Sequence, residues 1–218
     1  MKSAEIQPSL VEYYRRRAGE YEAIYAKPER QADLARLRSL VPERLRGRRV
    51  LELACGTGYW TTLIAGTAAR VVATDLAEEP MQIARRKVFP PRKVIFQKAD
   101  AYSLPQALGR FDAAFAGFWW SHVPRRRIAE FLASLHARLE PGARVLLLDN
   151  RLVEGSSTPI DGWDAEGNSY QRRRLADGSE TRILKNFPAE AELRKQFQGC
   201  SFSYETLDYY WLAEYRLK

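Results

Sequence analysis

An α/β fold, doubly wound around a mostly parallel seven-stranded sheet with an antiparallel end, is predicted by three features of this chain. Apolar, β-rich runs recur at Val50 to Leu53, Val71 to Ala73, Val94 to Phe96, Phe111 to Phe118 and Val145 to Leu148, with helical or loop segments between them. Such alternation builds parallel strands joined by right-handed crossovers. The first run stops at Gly56-Thr57-Gly58, a turn that bares backbone to a ligand, and the second closes on Asp75, an acid placed to reach ribose hydroxyls. Ser201 to Asp208 and Tyr209 to Leu217 then read as two closing strands, antiparallel and at the far end of the sheet.

Residues 1–46 read as N-terminal helices that form a lid. Within them Pro28 to Arg46 carries Leu34, Leu37, Leu40, Val41 and Leu45 at helical spacing, and the helix ends near Gly47. Spacings of four place Arg17, Tyr21 and Tyr25 on one helical face, where phenols and a guanidinium together exclude water and grip an anion. Residues 47–150 form the cofactor-binding core, whose last helix carries Ile128, Phe131, Leu132, Leu135 and Leu139 and is stopped by Pro141-Gly142.

Residues 151–187 are expected as a cap over the substrate. A polar connection runs to Asn168; Tyr170 to Leu175 and Glu180 to Leu184 then flank Asp177-Gly178, a hairpin signal. A two-residue loop sets Arg173 opposite Arg182, which is unfavourable unless an anion or carboxylate lies between them. A three-residue Asp-Gly-Ser loop, with Gly178 left-handed, instead puts Gln171, Arg173 and Lys185 on one face. Residues 188–218 supply a helix from Pro188 to Gln198 and the closing strands.

At 218 residues and 45% hydrophobic content the chain fits one domain, 1–218, without repeats or linkers. Met1 to Leu10 lacks a basic and apolar leader, and no run approaches the roughly 20 apolar residues of a bilayer span. Cys55 lies inside the glycine turn and Cys200 is the other of two cysteines, which fits a reducing, cytoplasmic setting. Two His and two Cys without close spacing give no metal-ligand cluster. The net charge of +8, with Arg clusters at 15–17, 125–127 and 172–174, favours an anionic partner without choosing which.

A dinucleotide fold needs a third glycine where this chain has Thr61, and no Gly-Lys-Ser/Thr follows to cradle phosphates. A nucleoside cofactor without phosphate fits better. Val50-Leu-Glu-Leu-Ala-Cys-Gly-Thr-Gly58, Thr74-Asp75-Leu76 with Met81, Lys98-Ala-Asp-Ala101 and Phe111-Asp-Ala-Ala-Phe115 resemble, in order, the four motifs of the class I S-adenosylmethionine-dependent methyltransferases, whose fold is Rossmann-like. Leu139-Glu-Pro-Gly-Ala-Arg-Val145 is similar to that family's turn into its fifth strand.

The resemblance implies that Gly56 and Gly58 pass the methionine part, Asp75 holds the ribose, Met81 lies along the adenine and Asp100 accepts from its amino group beside Ala101. Glu52, Ala54, Thr57, Trp60, Leu76, Ala116 and Tyr21 complete the implied S-adenosylmethionine site; Ala54 stands where many members have a glycine. A two-oxygen carboxylate suits paired hydroxyls, and a thioether makes a flat apolar contact.

Tyr13-Tyr14-Arg-Arg-Arg17, Gly58-Tyr-Trp-Thr61, Trp119-Trp-Ser-His122 and Asp177-Gly-Ser-Glu180 through Lys185 further resemble small bacterial natural-product O-methyltransferases, one of which acts on a phosphonate anion. That implies acceptor contacts from Arg173 and Lys185, and with the lid residues gives a substrate set of Tyr14, Arg17, Tyr25, Phe118, His122, Arg173 and Lys185. His122 follows the fourth strand, where it either takes a proton from an alcohol or amine or orients an acceptor that is already ionised. His136, mid-helix, reads as structural. The expectation is O-methylation of a small anionic molecule by in-line displacement. An RNA methyltransferase and a non-catalytic adenosylmethionine binder are the competing readings; Gly117-Phe-Trp-Trp120 lacks the Asn/Asp-Pro-Pro-Tyr/Phe signature of base-amino enzymes.

Overall fold

The computed structural model describes residues 6–175 and 177–218. Residues 1–5, the start of the expected lid and of the Met1 to Leu10 segment, and residue 176 of the expected hairpin region lie outside the described residues. Among those described, β1 (Arg49–Leu53), β2 (Arg70–Asp75), β3 (Val94–Lys98), β4 (Phe111–Gly117), β5 (Leu139–Asn150), β8 (Ser201–Thr206) and β9 (Tyr210–Arg216) form one seven-stranded sheet in the order β3-β2-β1-β4-β5-β9-β8. The first five are mutually parallel; β9 runs antiparallel to β5, and β8 to β9. The order reverses beside β1, so its carboxyl end and that of β4 open a crevice for a ligand.

Burial explains why the strands could be read. Val50, Leu51 and Leu53 are buried because helices cover both faces of a parallel sheet, and such strands are continuous apolar runs. The helix α2 (Gln31–Arg44) buries Leu34, Leu37 and Val41 in the same cluster as Val50, and it is preceded by a 3-10 turn at Pro28–Arg30. Two boundaries differ from expectation. The helix α5 (Ile128–His136) ends before Leu139, which already pairs with Phe111 in β5; the left-handed Gly142, φ 76°, lies where the register jumps to Ala113 opposite Arg144. The last helix, α6 (Glu190–Gln196), begins after Pro188 rather than on it.

The lid consists of α1 (Ile6–Arg17) and a 3-10 segment, Ala18–Ala26. That segment overturns the expected shared face of Arg17, Tyr21 and Tyr25, because residues four apart in a 3-10 helix lie about 120° apart around the axis. Tyr25 turns inward and stacks on Tyr59 with ring centroids 3.7 Å apart. Exposed ion pairs tie the last turn of α1 to two neighbours: Arg15 to Glu79 at 2.7 Å on α4 (Glu78–Arg85), and Arg16 to Asp177 on the hairpin.

The hairpin strands β6 (Tyr170–Arg174) and β7 (Glu180–Leu184) adopt neither expected frame. Leu175 N–H donates to Ser179 O at 2.8 Å, leaving three residues between them, with Gly178 left-handed at φ 83°. The like-charged pair facing across the strands is therefore Arg172 and Arg182, and Asp161 lies between, 3.3 Å from one and 3.4 Å from the other. Arg173 opposes Thr181 and Gln171 opposes Ile183, so with Lys185 they share the face turned to the sheet's carboxyl end.

Candidate functional site

Where β1 ends the backbone turns through three left-handed residues, Ala54 (φ 51°), Gly56 (φ 54°) and Gly58 (φ 76°). The helix α3 (Tyr59–Thr67) starts on Gly58, and a Cβ there would stand 2.8 Å from that of Ala84. Gly58 therefore serves close packing of α3 on α4. Ala54 carries strain that a glycine would not. Asp75 braces the turn, accepting from Gly56 N at 2.8 Å and Ala77 N at 2.8 Å. Burial raises its pKa, opposed by these backbone donors.

This turn floors a cavity of about 840 Å³. Of the residues expected at the cofactor, Ala54, Gly56, Asp75, Leu76, Asp100 and Ala101 line it from the sheet, and Tyr21 from the lid. Asp100 also accepts from Tyr102 N at 2.9 Å. The remaining expected residues lie outside the lining. Met81 is fully buried in the cluster of Ile64 and Ala73, because α4 turns it to the sheet; Pro80 and Ala77 face the cavity instead. Thr57 Oγ1 donates to Glu22 at 2.7 Å and ties the turn to the lid. Trp60 packs on Phe115 and Phe118, Ala116 faces the opposite core, and Glu52 is buried on β1 with Oε2 lacking a hydrogen-bond partner among the described residues. Thr74, Ala99 and Gly117, which also line the cavity, each adjoin an expected residue at a strand end.

A second cavity of about 750 Å³ adjoins the first, and Tyr14, Tyr21, Phe118 and His122 line both. Phe118, a non-glycine residue at φ 60°, is held left-handed at this wall, the kind of strain that collects at functional sites. His122 Nδ1 lies 2.7 Å from Leu184 O, which can only accept, so this nitrogen carries the proton and Nε2 accepts from Tyr14 Oη at 2.7 Å. Burial, then the Lys185 cation, pushes the His122 pKa down to about 3. Both ring nitrogens are thus engaged, so neither is free to take a proton directly from an alcohol or amine, the first of the two roles expected for His122.

Arg17, Lys27, Arg30, Arg173 and Lys185 line this second cavity, and no carboxylate does among the described residues. Lys185 is buried and its ammonium donates to Ser121 Oγ at 2.6 Å and Asp149 Oδ1 at 3.1 Å, so the expected anion contact is already paired with a carboxylate. Arg173 donates to Thr158 Oγ1 and Gln171 Oε1, both at 2.6 Å, and its Nε has no partner among the described residues. Arg17 donates to Tyr13 Oη at 2.7 Å. Neither Arg17 nor Arg173 meets a carboxylate among the described residues. Lys27 and Arg30 escaped sequence reasoning, since no local pattern marks them.

The first cavity fits adenosylmethionine by its own chemistry: bare backbone at Gly56, a bracing carboxylate at Asp75 and apolar walls for a flat ring, with the orphan acid of Glu52 buried behind that lining. A methyltransferase-domain model matches residues 50–142. A demethylmenaquinone methyltransferase of Thermus thermophilus is 31% identical over 182 residues, covering 74% of this chain and 78% of that one. The chain belongs to the S-adenosylmethionine-dependent methyltransferases.

Its class I fold, and S-adenosylmethionine as the family's cofactor, follow from that membership. Solved complexes of DhpI, one with SAH and one with SAM and HEP, are 32% identical; they cover 99% of this chain and 98% and 100% of theirs, at TM-scores of 0.79 and 0.81. An O-methyltransferase of Penicillium expansum is 34% identical over 107 residues, 47% of this chain. The chain spans less than half the length of several curated relatives it matches, 46% for the demethylmenaquinone methyltransferase of Clavibacter sepedonicus.

Proposed function

We propose that this chain methylates an oxygen of a small anionic acceptor bound in the second cavity. The observation that carries the reading is a cation-lined cavity, without a lining carboxylate among the described residues, that shares a wall with the cofactor cavity. Asp75, Asp100, Leu76 and the Gly56 backbone would hold S-adenosylmethionine, which when bound supplies a methyl group on a sulfonium sulfur. Glu52 would face its ammonium group.

The residues of the chain then have three tasks. Arg17 and Arg173 hold the acceptor's charge, and their position beside the shared wall fixes which oxygen faces the cofactor cavity. Tyr14 and His122 brace that wall as a hydrogen-bonded pair. Tyr21 and the lid exclude water. A carboxylate or phosphonate is ionised at neutral pH and needs no base, which agrees with a His122 that is neutral and fully engaged. DhpI, solved in complex with SAM and HEP, is a relative matched over its whole length.

Carboxylates and phosphonates, assayed beside their neutral esters, phenols, amines and tRNA with mass-spectrometric detection of the methylated product, test the reading. Methyl esters of the acids are the expected products. Efficient methylation of tRNA, or of neutral acceptors in preference to acids, would overturn it.

A further inference from the structure

The cations of the second cavity fall into two groups. Arg17 and Arg173 belong to the lid helix and the hairpin, beside the shared wall. Lys27 and Arg30 lie at the turn between the lid and α2. Arg30 is 7% exposed and lies over the rings of Tyr209 and Tyr210, 5.2 and 5.5 Å from their centroids. It donates to Ser156 Oγ at 2.9 Å and Asn150 Oδ1 at 3.1 Å, and Lys27 donates to Ser156 O at 3.1 Å. Two residues further on, Thr158 accepts from Arg173. Two residues of chain span at most about 7 Å, so the groups stand one small molecule apart.

Charge does not balance within the cavity. Asp149 pairs with Lys185, and Glu29 lies 3.8 Å from Lys27 and 3.9 Å from Arg30, which leaves three of the five positive charges uncompensated among the described residues. A single monoanion would offset one. Arg30 in particular is buried, its hydrogen-bond acceptors Ser156 and Asn150 are neutral, and it shares the single Glu29 carboxylate, 3.9 Å away, with Lys27, an arrangement that a second anion would complete.

We infer that the acceptor carries two separated anionic groups, the methylated one at Arg17 and Arg173 and the other anchored by Lys27 and Arg30, which select for substrate length. This rests on the anionic-acceptor reading and narrows it to diacids. The reacting oxygen lies at the hairpin end because Tyr14 and His122, at the shared wall, adjoin that group. Lys27 and Arg30 are specificity-determining residues that touch the distal group alone.

Calorimetry on the whole chain tests this with matched probes: succinate, glutarate, adipate and 3-phosphonopropionate against butyrate, pentanoate, hexanoate and propylphosphonate. The best dianion is expected to bind at least about tenfold tighter than its monoanionic match, as one added charged contact allows. Arg30→Gln and Lys27→Gln should each remove most of that preference while leaving monoanion affinity within about twofold, a split that loss of a merely structural contact would not produce. The Lys27 side chain is 42% exposed, so Lys27→Gln decides the matter if Arg30→Gln fails to fold. Equal affinity within matched pairs, or a dianion preference untouched by Lys27→Gln, overturns the inference and leaves the anionic acceptor standing. Binding of neutral esters with no binding of any acid overturns both.

Discussion

Tyr14 Oη and His122 Nε2 lie 2.7 Å apart, joining the lid to the carboxyl end of β4 across the wall that both cavities share. The seating of the lid and the orientation of the His122 ring are therefore coupled through this one hydrogen bond. Tyr14→Phe keeps the ring and its packing against Tyr21 but leaves a buried imidazole nitrogen without a partner. The expected result is a kcat lower by about tenfold, equivalent to the roughly 1–3 kcal/mol of one unsatisfied buried group. Cofactor affinity should hold within about threefold. Steady-state kinetics with calorimetry of SAH binding checks both.

The depressed pKa of His122 makes a pH prediction. The folded ring takes its proton only near pH 3, whereas the unfolded one does so near its ordinary 6.5, so the unfolded state holds more protons between those values. Stability attributable to this residue is intact above pH 6.5 and is lost as the pH falls toward 3. Melting curves of His122→Gln should decline less steeply over that window, by about one proton's linkage. The kcat/KM profile for an acidic acceptor should show no ionisation near 6.5; one that His122→Gln abolishes would contradict the orienting role.

Arg173 and Lys185 looked alike in the sequence, and the structure separates them. Arg173 has neutral partners, so Arg173→Gln should raise KM for an acidic acceptor by about tenfold, the loss of a charged hydrogen bond. Its melting temperature should scarcely move. Lys185→Gln strands the fully buried Asp149 carboxylate, whose pKa burial raises and the Lys185 cation brings down to below the usual range. A loss of about 3–5 kcal/mol is expected. Paired kinetic and thermal measurements distinguish the two outcomes.

How far the chain could be read follows from the range of the interactions. Val50 to Leu53 and its parallel neighbours were legible because strands buried on both faces are continuous apolar runs, and the glycine turn because left-handed backbone demands particular residues. The hairpin frame was not, since Asp177-Gly178 suits more than one loop and the deciding carboxylate, Asp161, lies outside the hairpin. Tyr25 was misplaced by assuming α-helical spacing where a 3-10 segment runs. Met81 was placed on the cofactor by resemblance, while the rotation of α4 buries it. Lys27 and Arg30 reach the site only through the Ser156 loop, more than a hundred residues away in sequence.

Gly58→Ala should be damaging through both backbone and packing. The added Cβ meets Ala84 at 2.8 Å, on backbone at φ 76°. Ala54→Gly, by contrast, relieves a left-handed alanine and should change stability by no more than about 1 kcal/mol. Chemical denaturation of the two variants gives the comparison; equal losses would mean that close packing of α3 on α4 does not govern the turn.

Glu52 sets stability against ligand binding. Its carboxyl is buried, Oε2 lacks a hydrogen-bond partner among the described residues, and burial, with Asp75 nearby, pushes its pKa up to about 8 against the pull of the neighbouring Thr61 hydroxyl and, more weakly, of Lys87. Between the unfolded value near 4.5 and 8 the folded state holds the extra proton, so this residue's contribution to stability declines as the pH rises through that window. Glu52→Gln removes the titration while keeping the shape. The variant should melt above the wild type, with a gap that widens from pH 5 to pH 8 and then levels off, at about 2–4 °C for each kcal/mol in a chain of this size. If the carboxylate faces the cofactor's ammonium group, as proposed, the same variant should bind SAH about tenfold more weakly, the cost of one charge-assisted hydrogen bond. A melting gap independent of pH would show that Glu52 is already ionised in the folded chain. Unchanged SAH affinity would remove it from the cofactor site.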